Sequence, residues 1–209
     1  MTVLDRLACS LGRRDEVPNQ ELARDLVARK DAAGIREVAE NLWNKDKNIQ
    51  ADCLKVLYEI GYIEPSLIGE YAEDFVKLLK NKNNRLVWGG MIALGIAAKA
   101  NPNAAFKNLD AIKKAKETGS VITVDNAIAA LANTAAANAK YNAAIFPYLL
   151  AHLKTCRPKE VPQHAEKTLS AVTAANKADF IAVLEKRMED LSGGGLARVK
   201  KIIKQAQAS

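Results

Sequence analysis

Apolar positions recur in the same order four times along the chain, and the stretch Asn84–Ala100 shows the pattern best. Ile49, Leu86, Thr123 and Val161 open it, and Cys53, Gly90, Ala127 and Ala165 follow one turn later. Val56, Ala93, Ala130 and Thr168 come next, then Leu57, Leu94, Leu131 and Leu169, then Ile60, Ala97, Thr134 and Val172. The columns stand at i, i+4, i+7, i+8 and i+11, so each stretch predicts a helix with one apolar stripe to bury. The leucines are 37, 37 and 38 residues apart, a period expected of two-helix repeats. Between these stretches a second set of helices is predicted at about 34–44, 66–80, 104–117, 141–155 and 178–191. Ile35, Ala72, Leu109 and Phe146 share one of its columns, and Val38, Phe75, Ile112 and Leu149 another.

The punctuation keeps the same register. Asp46, Asn83, Ser120 and Pro158 occupy one turn of each unit, and Glu64, Asn101, Asn138 and Asn176 close it. These residues favour turns and caps for separate backbone reasons, so their agreement supports the period independently. Each unit therefore reads as a helical hairpin. One hairpin cannot bury both apolar faces, whereas stacked hairpins form a continuous core.

Over residues 31–209 these features resemble the HEAT-repeat class of armadillo-like superhelices. The phrase Met91-Ile92-Ala93-Leu94-Gly95-Ile96-Ala97 and its echo Ile128-Ala129-Ala130-Leu131-Ala132 carry the likeness. Of the Asp and Arg that HEAT units often place at fixed turn positions, only Arg85 and Asp125 are present, in different repeats. The resemblance implies an all-α, right-handed α-α superhelix of four to five hairpins in a single domain, 1–209. Residues 1–30 would form the N-terminal cap, 31–176 the repeats, and 177–209 the last hairpin and C-terminal cap. Architecture of this kind hosts many unrelated activities, so function must come from the site.

Several local features carry their own expectations. Thr2–Leu11 predicts a short amphipathic helix ended by Gly12, and Pro18 begins another bearing Leu22 and Leu26. Gly89-Gly90 inside a helix costs about 0.5–1 kcal/mol per glycine relative to alanine, which the close approach of a neighbouring helix, or else of a ligand, would offset. Pro147 predicts a kink or break near Phe146. Ser192-Gly193-Gly194-Gly195 reads as a flexible turn before a terminal helix that is apolar on one face and basic on the other.

Charge changes the picture in one respect. The net charge is +7, yet residues 1–100 balance 15 basic against 15 acidic side chains, so the excess lies wholly in 101–209. Such an excess suits an acidic partner or a phosphate backbone, set against the plainer role of a solvated lysine surface. Cys9, Cys53 and Cys156 show no CxxC spacing and read as reduced thiols. No leader pattern or membrane-length apolar run is present, so a cytoplasmic location is expected.

No chemistry emerges from the motifs. There is no phosphate-binding GxxxxGK[ST] loop. His152 and His164, the only histidines, fall on different predicted helices without an HxxxH pair, so no metal or cofactor is expected. Cys156 with His152 at i−4 is conceivable as a nucleophile and base, but no orienting acid lies within sequence reach. The resulting expectation is a non-catalytic scaffold that binds a protein or peptide on the concave inner-helix face. The contacts expected there are Trp88, Ile92, Lys55, Asn126 and His164. The alternative is a nucleic-acid-binding module, similar to the HEAT-like DNA alkylation repair glycosylases. Against it, Lys55 and Lys167 are the only basic residues of their inner-helix column, and a DNA groove should be more cationic.

Overall fold

The computed structural model describes residues 2–208, and among these no strand occurs. Twelve α-helices are formed: α1 Val17–Ala28, α2 Ala32–Glu40, α3 Lys47–Ile63, α4 Ala72–Leu78, α5 Asn84–Ala97, α6 Pro102–Lys107, α7 Leu109–Thr118, α8 Val121–Ala136, α9 Ala139–Thr155, α10 Val161–Thr168, α11 Lys177–Arg187 and α12 Gly193–Ala208. After α1, α2 pairs with α3, α4 with α5, α9 with α10, and α11 with α12 as helical hairpins, and α6 leads into α7. The predicted caps hold the helix starts. Asp46 accepts a hydrogen bond from the Asn48 amide at 2.7 Å, Asn83 from Arg85 at 3.0 Å, and Asn138 from Tyr141 at 2.9 Å. Pro158 opens a 3-10 turn, Pro158–Glu160, that leads into α10.

The chain divides into two compact units, Met1–Ala127 and Ile128–Ser209, with the division falling inside α8. In the first, α3 packs against both α1 and α5, and α4 packs on α5. Leu57, Leu94 and Phe75 are fully buried, each contributing about 1.5–3 kcal/mol by leaving water. Gly89 and Gly90 repay their cost through this packing. A Cβ on Gly89 would come within 2.7 Å of the Leu54 side chain, and one on Gly90 within 2.9 Å of Leu78 Cβ. In the second unit α9 packs against α10 and α11, and α12 against α10 and α11. Phe180 and Leu149 are fully buried there. The buried Arg187 donates from Nη1 to the Leu153 carbonyl at 2.5 Å and from Nη2 to the Cys156 carbonyl at 2.8 Å, satisfying the end of α9.

Four local expectations are corrected. At the N-terminus a 3-10 turn, Val3–Arg6, replaces the amphipathic helix; Leu7 and Ala8 are buried, whereas Leu11 is exposed. Pro147 does not break α9, which runs on through it. Pro147 and Ala143 are both exposed, so the carbonyl that loses its helical donor faces solvent. Gly193, Gly194 and Gly195 belong to the first turn of α12, where backbone amides have no intrahelical partner in any case. The fourth inner helix is short: α10 ends at Thr168, and Leu169 lies half-buried in a 3-10 turn. Thr168 Oγ1 donates to the His164 carbonyl at 2.8 Å, a back-bond that weakens a helix from within.

Candidate partner-binding face and a histidine–cysteine cluster

Repeat register decides which side of the inner helices is available. Trp88 shares its column with Ala51, Asp125 and Gln163, and Ile92 with Lys55, Ala129 and Lys167. In the first repeat this side is closed, since Ala51 is 8 % and Lys55 7 % exposed. In the later repeats every member of both columns is half-buried. Trp88 and Ile92 stand one turn apart on α5, so both leave apolar surface accessible on one face. Asn126, on α8, is likewise half-buried, its side-chain amide donating to the Ile122 carbonyl at 2.8 Å.

The N-terminal cap accounts for the closed first repeat. Lys55 Nζ lies 2.7 Å from both Glu16 and Glu59, and 4.8 Å from the centre of the Tyr58 ring. Burial alone would lower its pKa, and the hydrogen bonds to Glu16 and Glu59 more than reverse this. Asp52 accepts from the Cys9 amide at 2.8 Å, and Asn19 from the Ala8 amide at 2.9 Å. Lys55 is thus a tether for the cap, with its charge already matched. His164 is fully buried and offers no surface either. Of the five residues read from the sequence, Trp88, Ile92 and Asn126 are accessible.

The second unit contains a cavity of about 880 Å³ between the end of α8, α9 and the segment 170–179. Phe146, Pro147, Leu150 and Val172 give it apolar walls. At its floor Asn142 Nδ2 donates to the Ala171 carbonyl at 2.7 Å, and Asn176 Nδ2 donates to Asn142 Oδ1 at 2.9 Å. These amides lock α9 to the chain entering α11 and leave the cavity mainly apolar.

The two histidines lie on different helices, as read from the sequence, and they meet. His152 in the last turn of α9 and His164 on α10 approach to 2.9 Å, Nε2 to Nδ1, with ring centres 4.9 Å apart and tilted by 45°. Cys156, the C-cap of α9, completes the group: one ligand atom from each residue lies within 4.8 Å of the others. Burial raises the Cys156 thiol pKa, and the nearby Arg187 guanidinium opposes the rise. The sequence signal was the spacing His-x-x-x-Cys, which puts both side chains on one helical face, followed by a histidine eight residues on. Its meaning depended on how α9 and α10 fold back on one another, which periodicity does not report. All three cysteines are free thiols, Cys53 and Cys156 buried and Cys9 partly exposed.

Neither a family model nor a curated protein sequence matches the chain. Solved structures do. An engineered protein is similar at 21% identity with a TM-score of 0.65, covering 100% of this chain and 98% of that one. A designed armadillo repeat protein in complex with the peptide (KR)4 is similar at 15% identity and TM-score 0.66, over 90% of this chain and 85% of that one. A computationally designed armadillo repeat protein for modular peptide recognition is similar at 16% identity and TM-score 0.64, over 98% of each. At such identities the likeness is one of fold. The chain has an all-α helical-repeat solenoid fold of the armadillo and HEAT-like kind.

Proposed function

We propose that this protein is a non-catalytic scaffold that holds a peptide or a segment of a partner protein on its inner-helix face, with Trp88, Ile92 and Asn126 making contact. The carrying observation is the half-buried Trp88 and Ile92 pair on successive turns of α5, in two columns that are closed only in the first repeat. A tryptophan beside an aliphatic side chain is the kind of anchor that dominates binding energy at interfaces. The designed armadillo proteins bound to or built for peptides lend support by their fold. The net charge of +7, carried by residues 101–209 and not by the half that holds Trp88 and Ile92, favours an acidic ligand only through long-range attraction. Three free thiols suit a reducing compartment, and the reading takes the cytoplasm as the place of action.

The test is anisotropy of labelled acidic peptides carrying one large apolar residue, titrated with wild type and Trp88→Ala. The expected result is a loss of affinity of roughly 30-fold or more in the variant, from a tryptophan anchor worth about 2 kcal/mol. The denaturation midpoint should move little. Unfolding of Trp88→Ala would place Trp88 in the core and sink the assignment. Binding that appears only with oligonucleotides and falls steeply with salt would favour the nucleic-acid reading instead.

A further inference from the structure

The cluster at the end of α9 belongs to neither the inner-helix face nor the cavity, and its composition is that of a ligand set. His152 and Cys156 project from consecutive turns at the C-terminal end of one helix, and His164 reaches them from the next. Their ligand atoms lie within 4.8 Å of one another, and two of them, both imidazole nitrogens, are already at 2.9 Å. We propose that His152, Cys156 and His164 form a binding site for zinc or a similar borderline divalent ion. Two nitrogens and one sulfur select such an ion over magnesium or calcium, which require oxygen ligands. Zinc bonds of about 2.0–2.1 Å to nitrogen and 2.3 Å to sulfur put tetrahedral ligand atoms roughly 3.3–3.6 Å apart. The cluster therefore needs side-chain adjustment by roughly 1 Å or a little more at most, and His152 is its half-buried member.

Coordination is balanced without redox chemistry. His152 Nε2 and His164 Nδ1 each give a lone pair to the ion, their protons resting on the other ring nitrogens. The Cys156 S–H bond breaks, its electron pair forms the sulfur–metal bond, and the proton passes to solvent. Glu160, whose carboxylate is engaged by Arg157, adds negative charge within electrostatic reach of His164 and Cys156. Arg187 adds positive charge near Cys156, but its guanidinium is bonded to the Leu153 and Cys156 carbonyls and to Asp190. Three protein ligands leave one position of a tetrahedral ion for water or an incoming group, reached from the side of His152. Such a site would staple α9 to α10.

Cobalt(II) serves as the probe, added to the chelator-treated, reduced full-length chain. The expected result is one equivalent taken up, with visible bands of four-coordinate intensity and a near-ultraviolet thiolate-to-cobalt band, both erased by added zinc. Cys156→Ser should lose the thiolate band while keeping its circular dichroism, and His152→Asn should bind roughly tenfold or more weakly. Zinc should raise the melting temperature of wild type and not of Cys156→Ser. A folded wild type without the thiolate band, or a Cys156→Ser variant that retains it, overturns the proposal.

Discussion

A glycine inside a helix is a local fault unless something requires it, and Gly90 and Gly194 separate the two cases. A Cβ on Gly90 would meet Leu78 Cβ at 2.9 Å and the Phe75 carbonyl at 3.3 Å, atoms near or on the backbone of α4 that cannot turn aside. Gly90→Ala gains about 1 kcal/mol of helix propensity but should lose more by forcing α4 and α5 apart, at about 1–3 kcal/mol for overpacking. Gly194 has nothing within 4 Å of its Cβ position, and its backbone lies outside the left-handed region. Gly194→Ala should therefore stabilise by about 0.5–1 kcal/mol. Chemical denaturation of both variants checks the pair: stabilisation by Gly90→Ala would show that α4 yields readily.

At the scale of the element, one buried cation joins the apolar packing of α1 on α3 in tying the N-terminal cap to the first repeat. Lys55 has a side chain only 9 % exposed, so its ammonium depends on Glu16 and Glu59. Glu16→Gln with Glu59→Gln should cost about 2–3 kcal/mol, short of the roughly 3–5 kcal/mol of a fully buried pair, because Glu16 is half-exposed. Lys55→Met removes cation and need together and should be near neutral at pH 7. The Lys55 pKa is raised in the folded chain, so its contribution is whole below about pH 10.4, the unfolded value, and is lost as pH rises through the folded one. Denaturation midpoints at pH 7 and 11 should show wild type falling relative to Lys55→Met. These contacts also mark where sequence reading stops. The inner helices through Leu57, Leu94 and Leu131 were legible because their columns are filled by burial, and Asp46, Asn83 and Asn138 because caps act locally. The end of α10 was not, since the Thr168 back-bond competes with periodicity. Lys55 looked like a surface residue because its counter-charge Glu16 is 39 positions away and outside the repeat. The meeting of His152 with His164, only 12 positions apart, was hidden for a different reason: it depends on how α9 and α10 fold back on one another, which periodicity does not report.

On the scale of the whole molecule, a repeat array is held by contacts between neighbours in sequence, so cooperativity need not extend along its full length. Of the chain's two compact units, one buries Leu57, Leu94 and Phe75 and the other Phe180, Leu149 and Leu184. Both tryptophans, Trp43 and Trp88, belong to the first, so their fluorescence reports that unit alone, whereas far-ultraviolet circular dichroism reports helices of both. Arg187 provides the lever. Arg187→Ala strips charged hydrogen bonds from the Leu153 and Cys156 carbonyls inside the second unit, at a cost of about 1.5–3 kcal/mol. If each core stabilises its own helices, the variant should lower the midpoint of part of the circular dichroism transition and leave the tryptophan transition where it was. Equal shifts in both signals would instead mean that destabilisation travels through α8 and that the chain unfolds as a single cooperative body.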